Sequence, residues 1–168
     1  MILLLDERQR KELAQYSPYI AMLKVSSQNR RYIPMDYLEG EIIPGDKLFT
    51  MPSATSYEFG ILMSNVHMAW TRAVCGRLKS DYSYSNMIVY NNFPWPSPTK
   101  AILNARALYP DSNLADLYDP LTMPTELLKA HNANNRAVMD AYGFSIKMSE
   151  ADCVAELMRM YQKLTKEK

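Results

Sequence analysis

Cysteine is scarce. Cys75 and Cys153 are the only two in 168 residues, too few for a disulfide scaffold and in keeping with a reducing compartment. Five glycines exclude collagen-like chains and glycine linkers. Histidine occurs twice, at His67 and His131, with no Cys or His at ligand spacing, so no zinc site is expected. An excess of either charge is missing too: 19 Lys and Arg face 18 Asp and Glu, for a net charge of +1. Neutralising many phosphates usually leaves a visible basic excess, so composition by itself does not point to nucleic acid. Long apolar runs are absent. Met1–Leu5 gives way at once to Asp6, Glu7 and Arg8, too short a run for a signal peptide. Tyr57–Val74 is interrupted by Glu58, Asn65, His67 and Arg72 and reads as a buried helix of a soluble protein rather than a membrane span. No membrane partner and a cytoplasmic location are expected.

What is present describes a globular chain. Hydrophobic residues make up 48 % and charged residues 22 %, enough for a buried core in one ordinary domain or two small ones. Asp6–Gln15 is rich in helix formers and opens with acids, which predicts a short helix. Tyr19–Val25 is strand-like, and Arg31–Pro34 and Asp46–Met51 predict further extended runs between turns at Pro34, Gly40, Pro44-Gly45 and Pro52. Ser56 is placed to cap a long helix with Phe59, Leu62, Met63, Val66, Trp70 and Val74 on its apolar face, stopping at Gly76. Met87–Tyr90 again reads as strand. Three prolines within Phe93–Pro98 exclude helix and central strand, and place a boundary between residues 1–96 and 97–168.

Beyond that boundary the pattern is helical. Lys100–Leu108 is short and alanine-rich. Thr125 is placed to cap a helix that turns Leu127, Leu128, His131, Val138 and Tyr142 inward and ends at Gly143. Ser149 and Asp152 resemble a capping box, with Asp for the usual Glu or Gln. The helix after them presents Val154, Leu157, Met158, Tyr161 and Leu164. The expected fold class is α+β: short strands around a long buried helix, followed by a helical C-terminal unit.

Catalytic patterns are missing. There is no phosphate-cradling loop and no Gly-rich dinucleotide fingerprint. Cys75 falls at a helix C-terminal end, where the dipole raises a thiol pKa and argues against a nucleophile. Asn91-Asn92-Phe93-Pro94-Trp95 follows a strand-like run, where an amino-group DNA methyltransferase carries an Asn/Asp-Pro-Pro-aromatic tetrad. Phe93 stands where the first proline is needed, so the string reads as a turn. No residue is assigned a catalytic, metal-binding or cofactor-binding role.

The informative string is Gly76-Arg77-Leu78-Lys79-Ser80-Asp81-Tyr82-Ser83-Tyr84-Ser85. If it is extended, Arg77, Lys79, Asp81 and Ser83 share one side, while Leu78, Tyr82 and Tyr84 take the other. The plainer reading is a half-buried strand with a solvated polar row. The functional reading is a readout edge: Lys donates to guanine O6 and N7, and Asp accepts from cytosine N4, so the pair suits a G·C base pair in the major groove. Lys24, Arg30 and Arg31 are then candidates for phosphate contacts.

These residues resemble a family. Gly60–Pro96 is similar to the target-recognition region of MmeI-like proteins, single-chain DNA adenine methyltransferases that are often fused to an endonuclease as type II restriction–modification enzymes. Ile20-Ala21-Met22, Lys24-Val25-Ser26-Ser27 and Arg30-Arg31-Tyr32-Ile33-Pro34 resemble the start of that region. Ala105–Pro110, Leu114–Pro124 and Leu127–His131 resemble the helical C-terminal part. Leu23 replaces a frequent proline, and near residues 15–19 and 98–100 either this member has shorter connections than the family or segments of the parent polypeptide are omitted. The resemblance implies base readout by Lys79, Asp81 and Ser83, backbone contacts from Lys24, Arg30, Arg31 and Arg77, and scaffold roles for Tyr82 and Tyr84. It implies double-stranded DNA and a methyltransferase domain of the same polypeptide as partners. S-adenosylmethionine, and Mg²⁺ where a nuclease is fused, are implied for the parent, with neither site in this chain. The competing expectation is a helical protein-interaction or assembly domain without DNA contact, for which twelve methionines would suit an adaptable surface.

Overall fold

A computed structural model describes residues 18–38, 44–96 and 124–166, together with Arg8 and Ile42. The predicted helices at Asp6–Gln15 and Lys100–Leu108 lie outside the described residues, Arg8 aside. The strands are β1 Tyr19–Leu23, β2 Val25–Ser26, β3 Met35–Leu38, β4 Leu48–Pro52, β5 Gly76–Leu78 and β6 Asp81–Ser83. They form two antiparallel sheets, ordered β3-β1-β4 and β2-β6-β5. The expected single strand Tyr19–Val25 is divided at Lys24, and its two halves serve different sheets. The expected extended runs are displaced along the chain: Arg31–Pro34 leads into β3, and Asp46-Lys47 forms the turn before β4.

The expected long helix is two helices, α1 Ser56–Leu62 and α2 Asn65–Val74. Thr55, not Ser56, caps α1: its hydroxyl accepts from the Tyr57 N–H, and Glu58 reaches back to the Thr55 N–H at 2.8 Å, a complete capping box. The break falls at Ser64. Its hydroxyl donates to the Ile61 carbonyl at 2.6 Å and accepts from the His67 N–H at 3.2 Å, ending one helix and starting the next. Cys75, in extended conformation, closes α2, which leaves Gly76 free to begin β5.

Met87–Tyr90 is also corrected, from strand to a π-helical turn over Asn86–Tyr90. Ser85 caps it through the Ile88 N–H, and burial of Val89, whose carbonyl accepts from the Trp70 indole at 2.9 Å, overrides the β-branched propensity. Phe93–Pro96 has neither helix nor strand structure, as its prolines require. Tyr142 and Tyr57 donate their hydroxyls to the Pro94 and Pro96 carbonyls and hold the segment down.

Among the described residues two helices follow, α3 Thr125–Tyr142 and α4 Glu150–Lys166. Pro124 rather than Thr125 occupies the N-cap of α3, with no side-chain cap bond, while Gly143 ends it at φ 70°. Ser149 and Asp152 make the predicted cap of α4. Leu127, His131 and Val138 of α3 are buried as expected, but Leu128 and Tyr142 are only half-buried, and Asn134 and Asn135 take the inner positions. Leu157 of α4 is buried, Val154, Met158 and Tyr161 are half-buried, and Leu164 is exposed.

The main apolar cluster runs from β1 and β4 through both central helices to Leu127, Val138 and Leu157, and a small second one joins Tyr19 and Ala21 to Leu38 and Leu48. The architecture is therefore α+β, with α2 as the axle: Trp70 lies 6.1 Å from Tyr161 of α4, and Arg72 pairs with Glu150 at 2.9 Å. No helix among the described residues is long and apolar enough to cross a membrane.

Candidate nucleic-acid interface

The readout string folds back on itself. β5 and β6 form a hairpin joined by the two-residue turn Lys79-Ser80, with Arg77 opposite Tyr82 and Leu78 opposite Asp81. Directly paired residues share a face, so the single row expected from alternation does not exist. Val25, Leu78, Asp81 and Ser83 form one face of the small sheet, and Ser26, Arg77 and Tyr82 form the other. Asp81 and Ser83 stay together, Lys79 stands at the hairpin tip, and Arg77 is turned to the back. Leu78 is the converse correction: it was expected beside the tyrosines but lies on the outer face, 57 % exposed.

Lys79 adopts φ 56°, a left-handed conformation that two-residue hairpin turns favour and that a side chain makes costly. The tip is thus an exposed cation held in a conformation better suited to glycine. Asp81 accepts from the Gln28 N–H at 3.3 Å, which brings the turn Ser27–Arg30 alongside the outer face. That turn is closed by the Arg30 N–H on the Ser27 carbonyl.

Tyr82 and Tyr84 are buried scaffold residues, as the resemblance implied. The Tyr84 N–H bonds the Lys24 carbonyl at 2.8 Å, which ties β6 to the link between β1 and β2. Its hydroxyl lies 3.0 Å from Nε2 of His67, whose Nδ1 lies 3.1 Å from the Leu62 carbonyl. A carbonyl only accepts, so Nδ1 carries the proton and Nε2 accepts from Tyr84. Burial lowers the His67 pKa to about 4 and pushes the Tyr84 phenol well up. At neutral pH the bridge is uncharged. The Cys75 thiol donates to the Ser83 carbonyl at 3.0 Å, and its pKa is raised by burial. The hairpin base is therefore anchored on three sides.

The proposed backbone contacts are less alike than the sequence implies. Lys24 lies 5.4 Å from the Phe49 ring centre and donates to the Asp46 carbonyl. Arg31 donates to Asn132 of α3 at 3.0 Å and sits 5.6 Å from the Tyr32 ring centre. Arg77 lies 4.1 Å from the Tyr82 ring centre and donates to the Ser80 carbonyl.

Sequence reasoning missed how α3 is docked. Asn134 donates to the Gly60 carbonyl at 2.8 Å. Asn135 donates to the Tyr32 hydroxyl at 2.9 Å and accepts from the Asn65 N–H at 2.8 Å. His131 stacks on Tyr32 at 4.4 Å. The available signal was Asn132-Ala133-Asn134-Asn135 itself, because asparagine is a poor residue for a helix interior unless its amide is used. Among the described residues no three His, Cys, Asp or Glu side chains are grouped as metal ligands would be.

The profile for the MmeI target recognition domain matches residues 5–97, and that for the MmeI C-terminal domain matches residues 97–167. DNA methyltransferase A of Bacillus subtilis (strain 168) is 38 % identical over 168 residues, which covers 94 % of this chain and 19 % of that protein. The solved structure of the Type IIL restriction-modification enzyme MmeI in complex with DNA superposes with a TM-score of 0.82 at 42 % identity, covering 89 % of this chain and 21 % of that one. The chain thus spans about a fifth of the length of these relatives.

Proposed function

Because this chain belongs to the MmeI family, carrying its target recognition and C-terminal domains, we propose that it is the DNA sequence-recognition part of an adenine-N6 methyltransferase of restriction–modification type. One observation carries the reading: a rigidly anchored hairpin presents Lys79 at its tip with Asp81 and Ser83 on one outer face. Lys79 donates to guanine and Asp81 accepts from cytosine, and each good contact contributes about 1–3 kcal/mol of discrimination. Lys24, Arg30 and Arg31 supply contacts to the phosphates; a guanidinium has five N–H donors, so one bond to Asn132 does not commit Arg31.

The methyl donor would be S-adenosylmethionine, bound by a methyltransferase domain of the same polypeptide, and Mg²⁺ would belong to a fused nuclease. The roles assigned to the described residues lie in contacts to DNA, and no step through either group is routed through them. Leu127, Val138 and Leu157 are buried against α2 and its neighbours, so these faces of the helices serve internal packing, while Leu164 is exposed.

The test is binding of duplexes that differ at single base pairs. Lys79→Ala and Asp81→Ala should each relax preference at one base pair while leaving binding to unrelated duplex nearly unchanged. Equal weakening on every sequence would make them phosphate or structural residues. No duplex binding even at low salt would favour partner docking instead.

A further inference from the structure

We propose that Arg77 is a positioning residue that braces the reading hairpin from behind, rather than a contact to the DNA backbone. The proposal rests on the base-reading role of that hairpin. Three independent observations converge on it. The register places Arg77 directly opposite Tyr82, on the face away from Asp81 and Ser83. Its guanidinium carbon lies 4.1 Å from the Tyr82 ring centre, and Tyr82 is itself only 4 % exposed, so the platform beneath the cation is fixed in the core. Its Nη1 donates at 3.1 Å to the Ser80 carbonyl, inside the two-residue turn.

The turn needs such a brace. Lys79 at φ 56° holds a conformation that an L-residue leaves readily, since its β-carbon crowds the following carbonyl. Arg77 grips the peptide just beyond it, and so fixes where the Lys79 side chain departs from the hairpin. A planar guanidinium can lie along the ring and direct an N–H into the turn at the same time. A lysine ammonium has the charge but not that geometry. The brace and the backbone-contact alternative therefore differ in how they respond to a charge-conserving change.

Arg77→Lys and Arg77→Ala chains are compared with the unaltered chain in two measurements. Amide hydrogen exchange across Lys79–Asp81 should be about five- to tenfold faster in both variants, from loss of the ring contact and the carbonyl bond together. Selection from a pool of randomised DNA duplexes at low salt should show the base preference of the unaltered chain lost to a similar degree in both. The salt dependence of binding should stay unchanged in Arg77→Lys. If Arg77→Lys exchanges and selects like the unaltered chain, while Arg77→Ala alone reduces the slope of log affinity against log salt by about one contact's worth, Arg77 touches phosphate and the proposal fails. If the unaltered chain enriches no sequence, the base-reading role is refuted, and the brace is decided by exchange alone. Unaltered exchange at the turn overturns it.

Discussion

Mild acidification should destabilise this fold through His67. The folded chain holds the imidazole neutral down to about pH 4 because it is buried, whereas the ordinary histidine pKa is 6.5. Between those values the unfolded chain binds more protons than the folded one, so lowering the pH favours unfolding. Stability from this group is complete above pH 6.5 and drains away as the pH falls toward 4. From pH 6.5 to 5, before most carboxylates titrate, the loss is about 2 kcal/mol at roughly 1.4 kcal/mol per pH unit. Against the 5–15 kcal/mol typical of a domain that is a large fraction (about 13 to 40 %). The assay is urea unfolding at pH 7 and pH 5, followed by fluorescence of Trp70, which is fully buried. His67→Gln has no proton to gain in this range and should flatten the difference between the two pH values, whatever it does to stability at pH 7. An equal pH-dependent loss in both proteins would refute the reasoning, and would mean that protonated His67 finds a partner or that water reaches the Tyr84 bridge.

Replacing Lys79 by Gly should separate folding from recognition. Relief of the left-handed conformation at φ 56°, roughly 1–2 kcal/mol, outweighs or balances the added flexibility of about 0.4–1 kcal/mol. Thermal unfolding should show stability unchanged or slightly raised, while duplex discrimination falls. Asn135→Leu removes bonds to the Tyr32 hydroxyl and the Asn65 N–H and should lose about 1–3 kcal/mol by denaturant unfolding; a neutral result would show that these two bonds add no net stability to the seam beneath α3. Cys75 and Cys153 both have thiol pKa values raised by burial, Cys153 to about 11, so alkylation at pH 7 should be slow in the folded chain and rise steeply on unfolding.

The sequence announced which segments would be apolar far better than where each element would stop. Helical periodicity marked the anchors Trp70, Leu127, His131, Val138 and Leu157, but not the extent of each face: Leu128, Tyr142, Val154, Met158 and Tyr161 are half-buried and Leu164 is exposed. The break at Ser64 was not readable, since a serine in a helical run looks the same whether it faces solvent or resets the backbone through Ile61 and His67. Met87–Tyr90 read as strand because β-branched and aromatic propensities describe a pleated, half-buried surface; burial of Val89 and the Trp70 bond to its carbonyl chose a π-helical turn. The hairpin is the sharpest case. Perfect alternation in Arg77–Ser83 suits one strand or two, and only a turn signal tells them apart. The usual Asn-Gly or Gly-containing pair is absent, with Lys79-Ser80 in its place. The residue that hid the turn is the one proposed to read the base, an outcome expected where local preference yields to function.

That same fold-back bears on the near-neutral charge of +1. Counting cations assumes that each is available to phosphate. Here Lys24 is drawn toward Phe49 and Asp46, Arg31 toward Asn132 and Tyr32, and Arg77 toward Tyr82 and Ser80. Each spends its long side chain covering an aromatic face while its charged end satisfies a carbonyl or amide oxygen. Salt-dependent affinity grows with the number of phosphate contacts, not with net charge. On the proposed function, base discrimination by the hairpin depends on rigidity. A tip residue free to wander accepts several bases with similar energy; one fixed by a buried tyrosine, a neutral histidine bridge and a guanidinium brace pays its ordering entropy on folding, before DNA arrives.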